Sequence, residues 1–257
     1  MLDGVTAFVT GASQGIGRVI ATELADEGAN VALAARSNGI HETAAAIDDE
    51  ERTLTVETDV TQEASVEESI EATVERFDGL DCLVNNAGIA GPTKPVEEVA
   101  VEEWGHTMDV NALGPFLCTK HAAAHLRASE RGSVVNIGSI SGKRPLENRT
   151  PYAASKMAVI GLTRTLAFEL GDDDVTVNAI CPGATRGDRI ERVIEGQAEA
   201  KGIPFEEAKE QVFTEDAALG RLVDPEDVAD MVVYLASERG GRISAQDLNV
   251  DGGTIWY

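Results

Sequence analysis

Val5-Thr-Ala-Phe-Val-Thr10-Gly-Ala-Ser-Gln-Gly15-Ile-Gly17 stands near the start of the sequence, and Val19, Ile20 and Leu24 follow it at helical spacing. The run from Val5 to Thr10 is short, apolar and β-prone, as a strand buried on both faces of a parallel sheet has to be. Glycines between such a strand and a helix let backbone N–H groups and a helix N-terminus come up to a phosphate. Their spacing is G-x3-G-x-G rather than the G-x-G-x-x-G of the commonest dinucleotide fingerprint. The signal therefore lies in strand, turn and helix together, and it predicts nucleotide binding at Gly11, Gly15 and Gly17.

The alternation continues downstream. Residues 30–35 read as a second strand and 54–60 as a third, and 63–77 as an acidic amphipathic helix. A fourth strand ends in Asn85-Asn86-Ala-Gly88, a composition suited to a ligand-facing turn. A helical region follows, broken around Gly114-Pro115 with Asn111 near the break, and 133–139 form a fifth strand with Ser139 at its end. Residues 175–180 make a sixth strand leading to Pro182-Gly183, and 246–250 a last one. This pattern predicts an α/β fold: a Rossmann-like, doubly wound parallel sheet of about seven strands with helices on both faces. Ligands then sit at the carboxyl ends of the strands. Residues 184–220 are polar and interrupted by Gly196, Gly202 and Pro204, so they read as a helical substrate lid on a single domain spanning 1–257. Asp224 and Pro225 then supply the N-cap and first position of another helix.

Tyr152 and Lys156 are four apart, on one face if the segment is helical, and Ser139 lies thirteen residues before the tyrosine. A tyrosine that exchanges a proton near neutral pH needs its pKa lowered by about 3 units, and a nearby ammonium supplies a field of that sign. Taken alone, the pair also suits an ordinary amphipathic helix with an exposed Tyr and Lys. The end of the second strand bears on the cofactor. An acidic residue there binds the ribose 2′-hydroxyl of NAD, whereas an arginine accepts the 2′-phosphate of NADP. This chain has Ala35-Arg36-Ser37, so NADP is favoured and NAD remains the alternative.

The net charge is −24, from 45 acidic and 21 basic residues, and only six of the basic residues are lysines. Nucleic acid and anionic membranes are disfavoured as partners. The acids are spread along the chain, which suits a halophilic protein whose surface stays hydrated in concentrated salt. No apolar run is long enough for a membrane span, and the expected location is the cytoplasm. Cys82, Cys118 and Cys181 are scattered in apolar contexts, which argues against disulfides or a zinc site. His121 and His125 could touch one metal ion but lack a third ligand nearby, so no metal is expected.

Taken together, these motifs resemble the short-chain dehydrogenase/reductase family in its single-domain form, over the whole chain. Thr10-Gly-Ala-Ser-Gln-Gly-Ile-Gly17 is similar to its cofactor glycine motif, Asn85-Asn-Ala-Gly88 to its sheet-stabilising motif, and Asn111, Ser139, Tyr152 and Lys156 to its catalytic tetrad. The resemblance implies cofactor contacts from Gly11, Ser13, Gln14, Gly15, Ile16, Gly17, Arg36, Ser37, Asp59, Val60, Asn86, Gly88, Tyr152, Lys156, Pro182, Gly183 and Thr185. It also implies hydride transfer between a nicotinamide and a carbonyl or secondary alcohol, with Tyr152 moving the proton, Lys156 lowering the tyrosine pKa, Ser139 holding the substrate oxygen and Asn111 holding a water. Two positions depart from the family pattern. Gln14 stands where some NADP-preferring members have a basic residue, and Gly187 stands where many have a threonine, with Thr185 nearer. The expected substrate is a sugar, polyol or small ketone. A 3-oxoacyl thioester on acyl carrier protein is the alternative, for which Lys143, Arg144 and Arg149 offer a small basic surface, and a non-catalytic cofactor sensor is a minor one. The family implies a homotetramer or homodimer, and the apolar end Ile255-Trp256-Tyr257 suits burial against a neighbour.

Overall fold

Strands β1 (Thr6–Thr10), β2 (Asn30–Ala35), β3 (Thr53–Glu57), β4 (Cys82–Asn85), β5 (Ser133–Ile137), β6 (Thr176–Pro182) and β7 (Asp247–Val250) form one sheet in the computed structural model, which describes residues 1–256. Their order is β3-β2-β1-β4-β5-β6-β7, and every pairing is parallel. The helices are α1 (Gly15–Asp26), α2 (Gly39–Ile47), α3 (Glu63–Phe77), α4 (Val101–Met108), α5 (Gly114–Ala128), α6 (Thr150–Leu170), α7 (Asp188–Lys201), α8 (Phe205–Lys209) and α9 (Pro225–Ala236).

The continuous apolar runs of the strands follow from burial on both faces. Successive side chains of a strand point to opposite sides. Thus Ala7 and Val9 of β1 join one core layer with Ile20 and Leu24 of α1 and Val228 and Val232 of α9. Phe8 between them joins the other layer, with Val66 and Ile70 of α3, Leu117 and Leu126 of α5 and Leu170 of α6. Helix α9 starts as its sequence predicts, with the Asp227 carboxylate accepting the Asp224 N–H at 2.9 Å.

The chain leaves β3 at one edge and returns beside β1 as β4, so β1 and β4 flank the switch point where such sheets open a crevice. A side-chain clasp closes the sheet there. Thr10 Oγ1 accepts the N–H groups of Asn86 and Ala87 at 2.9 and 3.0 Å, and Asn86 Nδ2 donates to the Thr10 carbonyl at 2.9 Å. Asn85 faces the interior and donates to Asn136 Oδ1 at 2.8 Å, and Asn136 in turn donates to Thr163 Oγ1 at 2.9 Å, tying β4, β5 and α6 together.

Three expectations need correction. The third strand stops at Glu57, because the Asp59 carboxylate turns back to accept the N–H and hydroxyl of Thr61. Gly196 does not interrupt a helix but lies inside α7, where a Cβ would come 3.2 Å from Thr93. Gly202, at φ 66°, ends α7 instead. Ile255 is buried in its own chain against Ile140, Ile160, Ala179 and Cys181; Trp256 is exposed, and Tyr257 lies outside the described residues. The predicted break near Gly114 is a π turn over Asp109–Leu113 that contains Asn111.

Residues of α7 and α8 bury their own small cluster, Ile194, Ala198 and Ala208, beside Ile190, Ile203, Phe205 and Phe213. All three cysteines are free and buried; burial pushes Cys82 and Cys118 up to about 12 and Cys181 to about 11. His121 faces Glu63 and Glu67 of α3, and no group of three metal-ligating side chains occurs among the described residues. No helix among them is long and apolar enough to cross a membrane.

Candidate active site

The strand-to-helix turn after β1 can be built only with glycine at two points. Gly11 and Gly15 have φ of 68° and 56°, in the left-handed region that L side chains rarely adopt. At Gly17 a Cβ would lie 2.3 Å from the Gly11 carbonyl oxygen, so the first turn of α1 presses directly on the loop. The result is a backbone cradle opening at the N-terminus of α1, with the Arg18 guanidinium bracing it from behind through the Ser13 carbonyl at 2.7 Å. Donors of this kind fit a pyrophosphate.

Beside the cradle, Arg36 follows the last residue of β2 and points its Nη1 at Asp59 Oδ2 across 3.7 Å. Neither Ala35, the last residue of β2, nor Ser37 is acidic. Burial raises the Asp59 carboxyl, but hydrogen bonds from Thr61 and the Arg36 charge outweigh that and hold it below its ordinary value. Val60 is buried against Gly114, where a Cβ would meet Val60 Cγ2 at 2.9 Å. Pro182 ends β6, and a Cβ at Gly183 would meet the Asp251 Cα at 2.9 Å. Thr185 donates its hydroxyl to the Gly183 carbonyl at 3.2 Å, while Gly187 has a φ of 131° that only glycine adopts readily.

Helix α6 carries Tyr152 and Lys156 on one face, and Gly142 lets the short turn after β5 approach it: a Cβ there would sit 2.8 Å from the Lys156 carbonyl carbon. That turn presents Ser139, whose Oγ accepts the Ser141 N–H at 3.1 Å. Lys156 is buried; its ammonium donates to the Ile137 carbonyl at 2.7 Å and lies 5.8 Å from the centre of the Tyr152 ring. The Arg149 guanidinium stacks over the same ring at 4.9 Å. Burial pushes the Tyr152 phenol up, but Lys156, Arg189, a hydrogen bond with Ser139 and Arg149 outweigh it, so the phenol sits below the ordinary tyrosine value. Burial in turn draws the Lys156 ammonium below its ordinary value, against the opposing pull of Tyr152.

A single cavity of about 810 Å³ is lined by Ser139, Tyr152, Lys156 and every residue predicted to touch the cofactor. Asn111 stands behind its wall. Its amide donates to the Ile89 carbonyl and Ser155 Oγ, both at 3.0 Å, and its Oδ1 accepts the Ile89 N–H at 2.8 Å. Ser155 in turn donates to the Tyr152 carbonyl at 2.8 Å, so Asn111 braces the helix that carries the tyrosine. The proposed basic surface does not form. Lys143 is held by Asp247 at 2.7 Å, and Arg149 is only 2 % exposed. Sequence reasoning missed Arg189 and Arg192, which line the cavity from α7; Arg189 donates to the Gly88 carbonyl at 2.7 Å. The available signal was three arginines within seven residues, Arg186 to Arg192, in a chain so poor in cations.

A phosphate cradle and a tyrosine–lysine proton site opening into one cleft define a nicotinamide-dependent oxidoreductase acting on a CH–OH group. Residues 11–254 match the family described as enoyl-(acyl carrier protein) reductase. The chain is 36% identical over 248 residues to a cis-4-hydroxycyclohexanecarboxylate dehydrogenase of Sinomonas cyclohexanicum, covering 96% of this chain and 95% of that one. It is 32% identical over 261 residues to a D-beta-hydroxybutyrate dehydrogenase of Cupriavidus necator, covering 99% of each. Among solved structures it superposes on levodione reductase with a TM-score of 0.93 at 32% identity, covering 100% of both chains. An actinorhodin polyketide ketoreductase with NADPH gives 0.92 at 36%, again over 100% of both. NAD+-bound xylitol dehydrogenase gives 0.94 at 27%, covering 98% of this chain and 99% of that one. The chain belongs to the short-chain dehydrogenase/reductase family, and it is an NAD(P)-dependent oxidoreductase.

The lowered tyrosine pKa has a kinetic consequence. With Tyr152 as the proton acceptor, alcohol oxidation would need the phenol deprotonated, so its kcat/KM should rise with pH through an apparent pKa below the ordinary tyrosine value, while carbonyl reduction should fall over the same range. Removing one positive neighbour raises that pKa. In Arg189→Gln the rising limb should move to higher pH, read from pH–rate profiles at saturating cofactor, and an unmoved limb would detach Arg189 from the tyrosine.

Proposed function

We propose that the chain is an NADP(H)-preferring dehydrogenase/reductase that interconverts a small secondary alcohol and its carbonyl compound, with Tyr152 as the proton carrier. The observation that carries this reading is the convergence of Tyr152, Lys156 and Ser139 on the cleft that the glycine cradle opens into. The cradle fits a dinucleotide, which would lie against Gly11 to Gly17, Asn86, Gly88, Pro182, Gly183 and Thr185 and supply the hydride when bound. The remaining work falls to side chains of this protein. Tyr152 donates its O–H proton to the carbonyl oxygen in reduction and takes it back in oxidation. The Lys156 ammonium stabilises the phenolate left behind. Ser139 Oγ–H donates to the substrate oxygen as charge builds on it. Asn111 holds the loop after β4 and α6 in register, and a water at its backbone would link Lys156 to solvent.

The NADP preference rests on Arg36, whose nearest carboxylate, Asp59, is distant enough at 3.7 Å to yield to a 2′-phosphate. The segment 184–220 acts as a lid on a single domain, since its helices bury a cluster of their own and present Arg189, Arg192 and Val193 to the cleft. Sugars, polyols and small ketones are the substrates expected of such a site. The likeness to a polyketide ketoreductase supports reduction of a 3-oxoacyl group as the second reading. Docking of an acidic carrier protein has little to use, because Lys143 and Arg149 are turned inward. Exposed apolar side chains on α5 and α6, including Phe116, Met157 and Phe168, favour assembly through those helices as a dimer or tetramer. Three buried thiols suit a reducing cytoplasm, and a net charge of −24 suits concentrated salt.

Tyr152→Phe should lower kcat/KM by about 10²–10⁴-fold in both directions while leaving NADPH affinity, followed by nucleotide fluorescence, close to that of the parent. Retained turnover would remove the tyrosine from the chemistry. Loss of a charge-assisted phosphate contact costs about 1.5–3 kcal/mol, so Arg36→Ala should weaken NADPH binding by roughly 10- to 100-fold with NADH binding little changed. Equal losses for both nucleotides would refute the NADP assignment. Sizing chromatography and circular dichroism in molar KCl should report a folded oligomer that dissociates or unfolds as salt falls to the millimolar range, and indifference to salt would rule out halophily.

A further inference from the structure

The cleft reverses the sign of the protein around it. The chain carries 45 acidic residues, yet the cavity is lined by Arg36, Arg144, Arg149, Arg186, Arg189 and Arg192 together with Lys156, against two carboxylates, Asp59 and Asp188. Part of that charge is already engaged by groups of the protein. Arg36 lies past the end of β2, Arg186 is paired with Asp224, and Arg189 is bonded to Gly88. Arg144, Arg149 and Arg192 remain. They line the cavity along with Leu146, Val212 and Phe213, residues that belong to neither the glycine cradle nor the β2 end.

These three are poorly neutralised. Arg144 donates from Nη2 to the Val212 carbonyl at 3.2 Å, and the carboxylate paired with it is the exposed Asp216, 3.7 Å away. Arg192 has no carboxylate within 4.0 Å among the described residues, and neither has Arg149. Arg149 donates from Nη2 to the Ala90 carbonyl at 2.7 Å, but its Nε and Nη1 are buried without a partner. A buried, incompletely bonded guanidinium is costly unless an anion lies close by. Around the buried Arg149 the local dielectric is low, which strengthens attraction to such an anion, whereas Arg144 is half-buried and Arg192 exposed at the cleft.

We infer that the substrate is itself an anion, a small hydroxy acid or the corresponding oxo acid. Its carboxylate is held by Arg144 and Arg192 in the field of Arg149, with its hydroxyl or carbonyl at Tyr152 and Ser139. This assignment rests on the oxidoreductase reading above. Arginine forks match the planar two-oxygen carboxylate.

The test compares linear oxo acids with their methyl esters as substrates with NADPH, at the lowest salt that keeps the protein folded. The parent should favour the acid over its ester by tenfold or more in kcat/KM for at least one chain length, chiefly through KM. In Arg144→Gln/Arg192→Gln that ratio should fall towards one, with the melting temperature and NADPH affinity checking that the variant folds. Equal use of acid and ester, a preference for the ester, or acceptance of a phosphorylated polyol with rejection of every oxo acid would overturn the inference while leaving the oxidoreductase intact. Calorimetry of short alkanoates against the matching amides, on the NADPH complexes of the parent and of Tyr152→Phe, reads the anion site without turnover. Carboxylate-selective binding there would uphold the anion site even if no oxo acid or ketone were reduced, an outcome that would sink only the oxidoreductase reading. Indiscriminate binding would sink the anion site.

Discussion

The ammonium of Lys156 is buried with a backbone carbonyl as its hydrogen-bond acceptor and with no carboxylate in reach among the described residues. Taking a lone cation out of water costs several kcal/mol, and an anion forming beside it recovers much of that cost. The phenolate of Tyr152 is such an anion. One burial therefore does two things: it draws the lysine below its ordinary pKa, and it makes the neighbouring phenol easier to ionise. A solvated lysine on the same helix face would be screened and would shift the tyrosine little.

Holding that cation in place is the task of elements far apart in sequence. The Ile137 carbonyl is available because β5 ends there and the chain turns away at Ser139. Gly142 permits the turn to press on α6, and the Asn111–Ser155 bridge fixes α6 against the π turn. The π turn is braced against the loop after β4, where Asn111 bonds both polar groups of the Ile89 backbone. That loop is clasped to β1 by Thr10 and Asn86. The Tyr152–Lys156 pair and the glycine turn after β1 are thus two ends of one hydrogen-bonded frame built at the sheet's switch point.

Most of this was legible because its signals are local. The strand–glycine–helix passage, the paired asparagines after β4, and the Tyr152–Lys156 spacing each depend on a few adjacent residues and on backbone rules that hold in any context. What could not be read depends on partners distant in the chain. Nothing near Gly196 announces that Thr93 will lie against it and that the helix will run through. The apolar Val60 extends the β pattern by eye, but its burial comes from contact with Gly114, and Asp59 has already turned the chain. Arg149 looks like a surface cation beside Lys143 and Arg144; only the packing of the loop before α6 onto the Ala90 backbone takes it inside. Arginines clustered between 186 and 192 were visible as a cluster, yet their direction is set by how α7 lies over the strand ends.

The acidic exterior and the basic cleft make opposite demands on any anion that must reach Tyr152. A net charge of −24 repels the phosphates of a nicotinamide cofactor and any other anion at long range. Screening acts unequally on the two fields. The Debye length shortens from about 10 Å at 0.1 M to about 3 Å at 1 M salt, which removes most of the repulsion felt outside the molecule. Charges inside the cleft, set beside Leu146, Val193 and Phe213, are shielded less, since the medium there is less polarisable. In concentrated salt an anion therefore meets a nearly neutral exterior and a still attractive interior. The two charge distributions are compatible under that condition, which links the composition of the whole chain to the chemistry of this cleft.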